Sequence, residues 1–171
     1  LKLAKLQRSV IVVAFSGEEQ GLWGSNDLAK KLAALPVKPA AMVNMDMVGR
    51  LGATRQLALY GVGTSPAWPT ALAAAGAADR FRLKIDSSGV GPSDHTSFYL
   101  TDVPVLHLFT GTHNDYHRPS DDFEKINVEG MRRSADVVTG AVSSLAQSDT
   151  RPHYIESKHT QTVGAGGDRP Y

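Results

Sequence analysis

Apolar and polar positions along this chain switch between a period of two and a period near 3.6, and the switches mark out alternating strands and helices. Ser9 to Phe15 surrounds the β-branched run Val10-Ile11-Val12-Val13 and predicts a buried strand. Ser25 to Ala34 follows with helical spacing, with Ser25 placed to serve its N-terminus. Pro36 and Pro39 close that unit. Ala41 to Asp46 predicts a second strand and Leu57 to Tyr60 a third, the latter bounded by Gly61 and Gly63. Pro66 to Ala78 is alanine-rich and reads as one helix, with Ser65 as its cap and Pro66 in its first turn. Phe81 to Ile85 predicts a short strand, Ser93 to Leu100 a short helix, and Pro104 to Phe109 a further strand. Thr110 to Asp122 is a polar loop, and Val128 to Leu145 is an amphipathic helix with Asn127 as its cap. This alternation predicts an α/β fold in three layers, a central mixed and mostly parallel sheet flanked by helices.

From Gln147 onward the apolar periodicity stops. The expected organisation is therefore a folded domain over residues 1–147 and a tail or linker over residues 148–171, with a possible further domain beyond residue 171. Composition narrows the partners. Lys plus Arg number 18 and Asp plus Glu 17, a net charge of +1, which gives no electrostatic footprint for nucleic acid or an anionic membrane. No apolar run approaches the ~20 residues of a membrane-spanning helix. The chain has no cysteine, so a metal would have to be held by His, Asp and Glu.

The candidate chemistry lies just after predicted strands. Glu18-Glu19 follows the first, Asp46 ends the second, and His117 stands in the polar loop after the last. Open α/β sheets carry their chemistry outside the carboxyl ends of the strands. If these strands are neighbours and point the same way, the three positions meet at one edge. A set of Glu, Asp and His without Cys is of zinc type, and a metal-activated water still needs a base, which the second acid of the pair supplies. Taken alone, a Glu-Glu pair also fits a solvated acidic turn. Gly17, Gly21 and Gly24 suit tight turns, and no phosphate-binding glycine motif is present. His107, inside an apolar strand, reads as a core histidine, and His113 as a solvent-exposed one. Trp23 and Phe98 read as packing residues.

Four motifs in order, Gly17-Glu18-Glu19-Gln20-Gly21-Leu22-Trp23-Gly24-Ser25, Met42-Val43-Asn44-Met45-Asp46-Met47-Val48-Gly49, Ser93-Asp94-His95-Thr96-Ser97-Phe98 and Tyr116-His117-Arg118-Pro119-Ser120-Asp121, resemble those of the co-catalytic dizinc aminopeptidases. That family includes bacterial leucyl aminopeptidases and, more distantly, glutamate carboxypeptidase. The resemblance runs from about Ser9 to Ala146 and implies a zinc-exopeptidase-like fold. It implies Glu18 as general base, Glu19 and His117 as ligands of one zinc, and Asp46 as a ligand of a second. It implies Tyr116 as a hydrogen-bond donor to the tetrahedral oxyanion, and Asp94 and His95 as supports of the ligands or of the substrate pocket. The implied substrates are peptides with a free N-terminus, and the implied location is periplasmic or secreted.

The family pattern also uses a His-x-Asp and a bridging Asp upstream of the Glu-Glu pair, and no Asp or His precedes Glu18. The expectation is the C-terminal part of a longer peptidase catalytic domain, weak in metal binding and inactive as an isolated chain. The alternatives are a glutaminyl cyclase-like acyltransferase of the same fold and a non-catalytic, receptor-like binding domain.

Overall fold

Four short apolar segments pair into one sheet. The computed structural model describes residues 6–157, and its strands are β1 (Met42–Asp46), β2 (Gln56–Tyr60), β3 (Arg82–Ile85) and β4 (Val105–Phe109), in the order β1-β4-β2-β3. β1 with β4 and β2 with β3 run parallel, whereas β2 and β4 run antiparallel, so the sheet is mixed and mostly parallel. Because side chains alternate across a strand, Leu57, Leu59, Leu106 and Leu108 share one face, and Met42 and Val105 belong to the other.

Helices α1 (Trp23–Ala33), α2 (Ala67–Ala74), α3 (Ala77–Arg80), α4 (His95–Tyr99) and α5 (Val128–Gln147) complete the layers. The leucine face is closed by α2 and α5 through Trp68, Ala71, Leu72, Val137 and Ala141. These two helices approach closely at Gly140, where a Cβ would sit 2.9 Å from the Ala75 Cβ. Trp68 is fully buried, and its indole N–H donates to Thr64 Oγ1 at 3.1 Å, which removes the cost of burying an unpaired donor. α5 starts where the sequence predicts, with Asn127 Oδ1 accepting from the Gly130 N–H at 2.8 Å. The opposite face is only partly covered. There α1 and α4 pack Ala29, Phe98 and Tyr99 over Val103 and Val105, and the rest of that face stays open.

Three expectations need correction. Residues 9–15 form no strand: Val12 is 94% exposed, Ile11 72%, and the segment pairs with no strand among the described residues. β-branched residues favour strands by packing against neighbours on a sheet rather than by backbone preference. Without a paired edge the run joins no sheet. Ser25 does not cap α1. It lies inside the helix, fully buried, with its hydroxyl 2.8 Å from that of Ser97, and the N-cap position is Leu22. The helix expected from Pro66 to Ala78 breaks at Gly76, whose φ of 62° is left-handed and separates α2 from α3. Ser65 does serve the first turn, accepting from the Ala67 N–H at 3.3 Å.

Residues 148–157 form neither helix nor strand and lie along the body. The Ile155 N–H donates to Thr64 O at 2.9 Å, the Gly89 N–H donates to Ser157 Oγ at 2.9 Å, and Tyr154 packs on Tyr99 with centroids 5.6 Å apart. The rest of the predicted tail, 158–171, lies outside the described residues. Among the described residues no helix is long and apolar enough to cross a membrane.

Candidate active site

The parallel pairing of β1 and β4 brings Asp46 opposite Phe109, so the acid that ends β1 and the loop that follows β4 leave the sheet at the same edge. The Glu18-Glu19 pair reaches that edge on a tight turn before α1. Gly17 and Gly21 hold φ of 68° and 105°, and the Glu18 carbonyl accepts from the N–H groups of Gly21 (3.0 Å) and Leu22 (2.9 Å). The turn folds back so closely that a Cβ at Gly24 would sit 2.6 Å from Ser16 O. Leu22, Met47 and His117 also hold positive φ (60°, 54° and 55°), a conformation that non-glycine residues keep only where the surroundings enforce it. Each lies within a few residues of a predicted site residue.

Between these segments, on the open face of the sheet beside α4, lies a cleft of ≈ 830 Å³ lined by Glu18, Glu19, Asp46, Asp94, His95 and Tyr116, among others. His117 reaches the same rim: its Nε2 is 2.8 Å from Glu19 Oε1, and the Tyr116 ring stacks on it at 3.9 Å. Asp46 is held from below. Its Oδ2 accepts from Ser93 Oγ at 3.0 Å, Ser93 Oγ accepts from Asn44 Nδ2 at 2.8 Å, and Asn44 Nδ2 lies 3.0 Å from His107 Nδ1. The His107 ring stacks on that of His95 with centroids 4.3 Å apart.

The electrostatics separate groups that hold a proton from groups that refuse one. Burial raises the Glu18 carboxyl above its ordinary value, and the negative charges of Glu19, Asp46 and Asp94 push the same way, against an opposing pull from His117. The Tyr116 phenol is raised by burial and then by Glu19, Asp46 and Glu18, so it stays protonated. Burial, aided by His107, lowers His95 to about 3, and burial lowers His107 to about 4 against the pull of Asp46, so both rings are neutral near pH 7. His95 is fully buried and neither ring nitrogen has a partner, and Asp94 Oδ1 is likewise unpartnered. In the loop that carries Tyr116 and His117, Asp115 is held under the usual carboxylate range by hydrogen bonds from Lys125, Arg50 and Ser120.

The structure thus brings Glu18, Glu19, Asp46, Asp94, His95 and Tyr116 to one cleft and joins His117 to Glu19. It does not gather Glu19, His117 and Asp46 into one ligand cluster: among the described residues no group of three or more His, Asp or Glu is arranged to hold a metal. The Glu19 carboxylate and His117 imidazole, side by side and both more than half exposed, fit the donor preference of zinc as two of its usual four ligands. His113 departs from its expected exposure. Its side chain is 15% exposed, packed edge-on against Tyr116 at 6.4 Å and 3.6 Å from Asp121. Trp23 is not a packing residue, being 66% exposed, whereas Phe98 is buried and His107 is a core histidine as expected. Sequence reasoning passed over Asn44, Ser93 and Arg50. The first two stand inside motifs quoted above but were given no role there: Asn44 lies two before Asp46 on one strand face, and Ser93 precedes Asp94.

Residues 1–142 match the profile of Peptidase family M28. The chain belongs to Peptidase family M28. Among similar proteins, aminopeptidase YwaD of Bacillus subtilis (strain 168) is 27% identical over 173 residues, a span of 92% of this chain and 36% of that protein. Among solved structures, the aminopeptidase from Aneurinibacillus sp. strain AM-1 superposes with a TM-score of 0.64 at 28% identity, over 84% of this chain and 34% of that one. BSAP, a zinc aminopeptidase from Bacillus subtilis, gives a TM-score of 0.63 at 25% identity, over 80% and 35%. This M28 chain therefore spans about a third of the length of the relatives it matches.

Proposed function

We propose that this chain forms the catalytic face of a zinc-dependent aminopeptidase that hydrolyses the first peptide bond of substrates with a free N-terminus. The observation that carries the reading is the placement of Glu18, a carboxyl with raised proton affinity, in the same cleft as the Glu19–His117 pair. The similarity to aminopeptidases, one of them a zinc enzyme, supports it.

Glu19 and His117 would hold one zinc and Asp46 would contribute to a second, with ligands from elsewhere completing each. Bound there, zinc would polarise the scissile carbonyl and make water acidic enough to attack at neutral pH. The remaining work falls to side chains of this chain. Glu18 takes the proton from the attacking water and passes it to the leaving amine. Its raised proton affinity strengthens it as a base for the first transfer, and the more basic leaving amine draws the proton off in the second. Tyr116 keeps its phenolic proton and donates it as a hydrogen bond to the oxygen that gains charge in the tetrahedral intermediate. Ser93 and Asn44 hold Asp46 in one orientation, so a ligand carboxylate need not be ordered when metal arrives.

The test is hydrolysis of leucyl-p-nitroanilide and of its N-acetylated form by the zinc-loaded full-length protein that carries this chain together with the completing ligands. The reading predicts turnover of the first only, abolished by chelator and restored by zinc. Equal turnover of both would remove the requirement for a free N-terminus, and chelator-resistant turnover would remove the metal.

A further inference from the structure

Arg50 stands four residues past Asp46, at the end of the short turn that follows β1. Its side chain crosses to the loop that carries Tyr116 and His117, and it meets that loop twice. Nη2 donates to Asp115 Oδ2 at 2.8 Å and Nη1 donates to Asp121 Oδ1. The two acceptors bracket His117, one two residues before it and the other four after. The same strand-end turn makes a further tie, since Thr110 Oγ1 donates to Met47 O where the loop begins. The Arg50 and Asp115 side chains are only 18% and 19% exposed, whereas the His117 side chain is 55% exposed. The loop is thus anchored at its base and open at its functional tip.

The loop needs an anchor. Between residues 111 and 121 it has no helix or strand, and its backbone is a series of turns, with the N–H groups of Tyr116, Arg118 and Asp121 donating to the carbonyls of His113, Asp115 and Arg118. His117 itself sits at a φ of 55°, which a non-glycine residue keeps only when its surroundings over-determine it. The guanidinium is suited to this task because it presents separate N–H donors in a rigid plane and can bridge two carboxylates at once.

We propose that Arg50 is a positioning residue: it clamps the Tyr116–His117 loop to the end of β1 and so fixes the spacing between His117 and Asp46. This rests on the metal reading given above only in what the spacing serves. The clamp itself is a statement about the loop. A lysine at position 50 keeps the charge but offers one point of contact instead of two, so it does not replace arginine.

Two readouts on the intact protein test this. In the metal-free state, Arg50→Lys raises amide hydrogen exchange of residues 113–121 by about tenfold or more while α5 and the melting temperature stay unchanged, and Asp121→Ala, which removes one of the two acceptors, gives a smaller rise. In zinc titration calorimetry, Arg50→Lys weakens binding by about 10- to 100-fold, the usual cost of losing a residue that orients a ligand. Unchanged exchange in the loop overturns the clamp, and so does exchange raised equally in loop and α5, which marks general destabilisation. Loop exchange that rises while zinc affinity stays at the wild-type value overturns the link to His117. If wild-type protein binds no zinc and His117→Ala changes nothing, the metal reading fails, and the exchange measurement alone still decides the clamp.

Discussion

The two faces of the sheet are built to opposite ends. On one, Leu57, Leu59, Leu106 and Leu108 meet α2 and α5 in a closed apolar layer in which Trp68 is fully buried and hydrogen-bonded. On the other, α1 and α4 cover one end, and the rest is a cleft bordered by acids, a buried histidine with no partner for either nitrogen, and three residues in left-handed backbone conformation. The closed face carries stability. The open face gives up apolar burial and satisfied polar atoms, which suits the proton transfer and metal ligation proposed for it.

If this division holds, substitutions on the two faces separate cleanly. The largest change in stability comes from Trp68→Ala, which empties the closed face and costs about 3–5 kcal/mol in urea unfolding. A loss below ~1 kcal/mol would mean that the layer is not the stabilising core. On the open face, Tyr116→Phe removes only a phenolic donor. It lowers turnover about 100-fold with the melting temperature unchanged, and a shift in stability without one in turnover would reverse the assignment.

The histidine pair links the two properties through pH. His95 and His107 have folded values of about 3 and about 4, against 6.5 for the free side chain, so the unfolded chain takes up protons that the folded one refuses. Their contribution is complete above pH 6.5 and is lost as the pH falls towards 4. Unfolding free energy measured at pH 7 and pH 4.5 should fall by more than ~1.4 kcal/mol, the equivalent of a tenfold change in proton affinity. His107→Gln should flatten that dependence, and an unchanged slope would show that the pair is not its source. The smallest effect is Asn127→Ala. It removes the cap of α5 on the closed face for about 1 kcal/mol and leaves kinetics alone.

The sequence was most legible where one local pattern is enough. The spacing of α5, its Asn127 cap, and the short runs that became β1 to β4 all sit within a residue or two of expectation, because each carries a clear local periodicity bounded by turn or cap residues. The run Val10 to Val13 misled because a β-branched segment is a strand only beside a partner, and partners are a tertiary fact. The site divides in the same way. Glu18, Glu19, Asp46, Tyr116 and His117 could be singled out because they stand in motifs, and the structure brings them to one cleft and its rim. What Ser93 does beneath Asp46 and Arg50 beneath the His117 loop could not be read, because they are 47 residues or more from the acids they hold. Their side chains carry no local signal of what they touch.

Glu18 carries the central claim, that the open face is a catalytic centre with its own proton acceptor. The direct measurement is turnover of leucyl-p-nitroanilide by the full-length protein that carries this chain, as wild type and as Glu18→Gln, each with its zinc content determined. The account predicts equal zinc content, equal stability and a kcat lower by about 10²- to 10⁴-fold in the variant. Equal turnover at equal zinc content would contradict it.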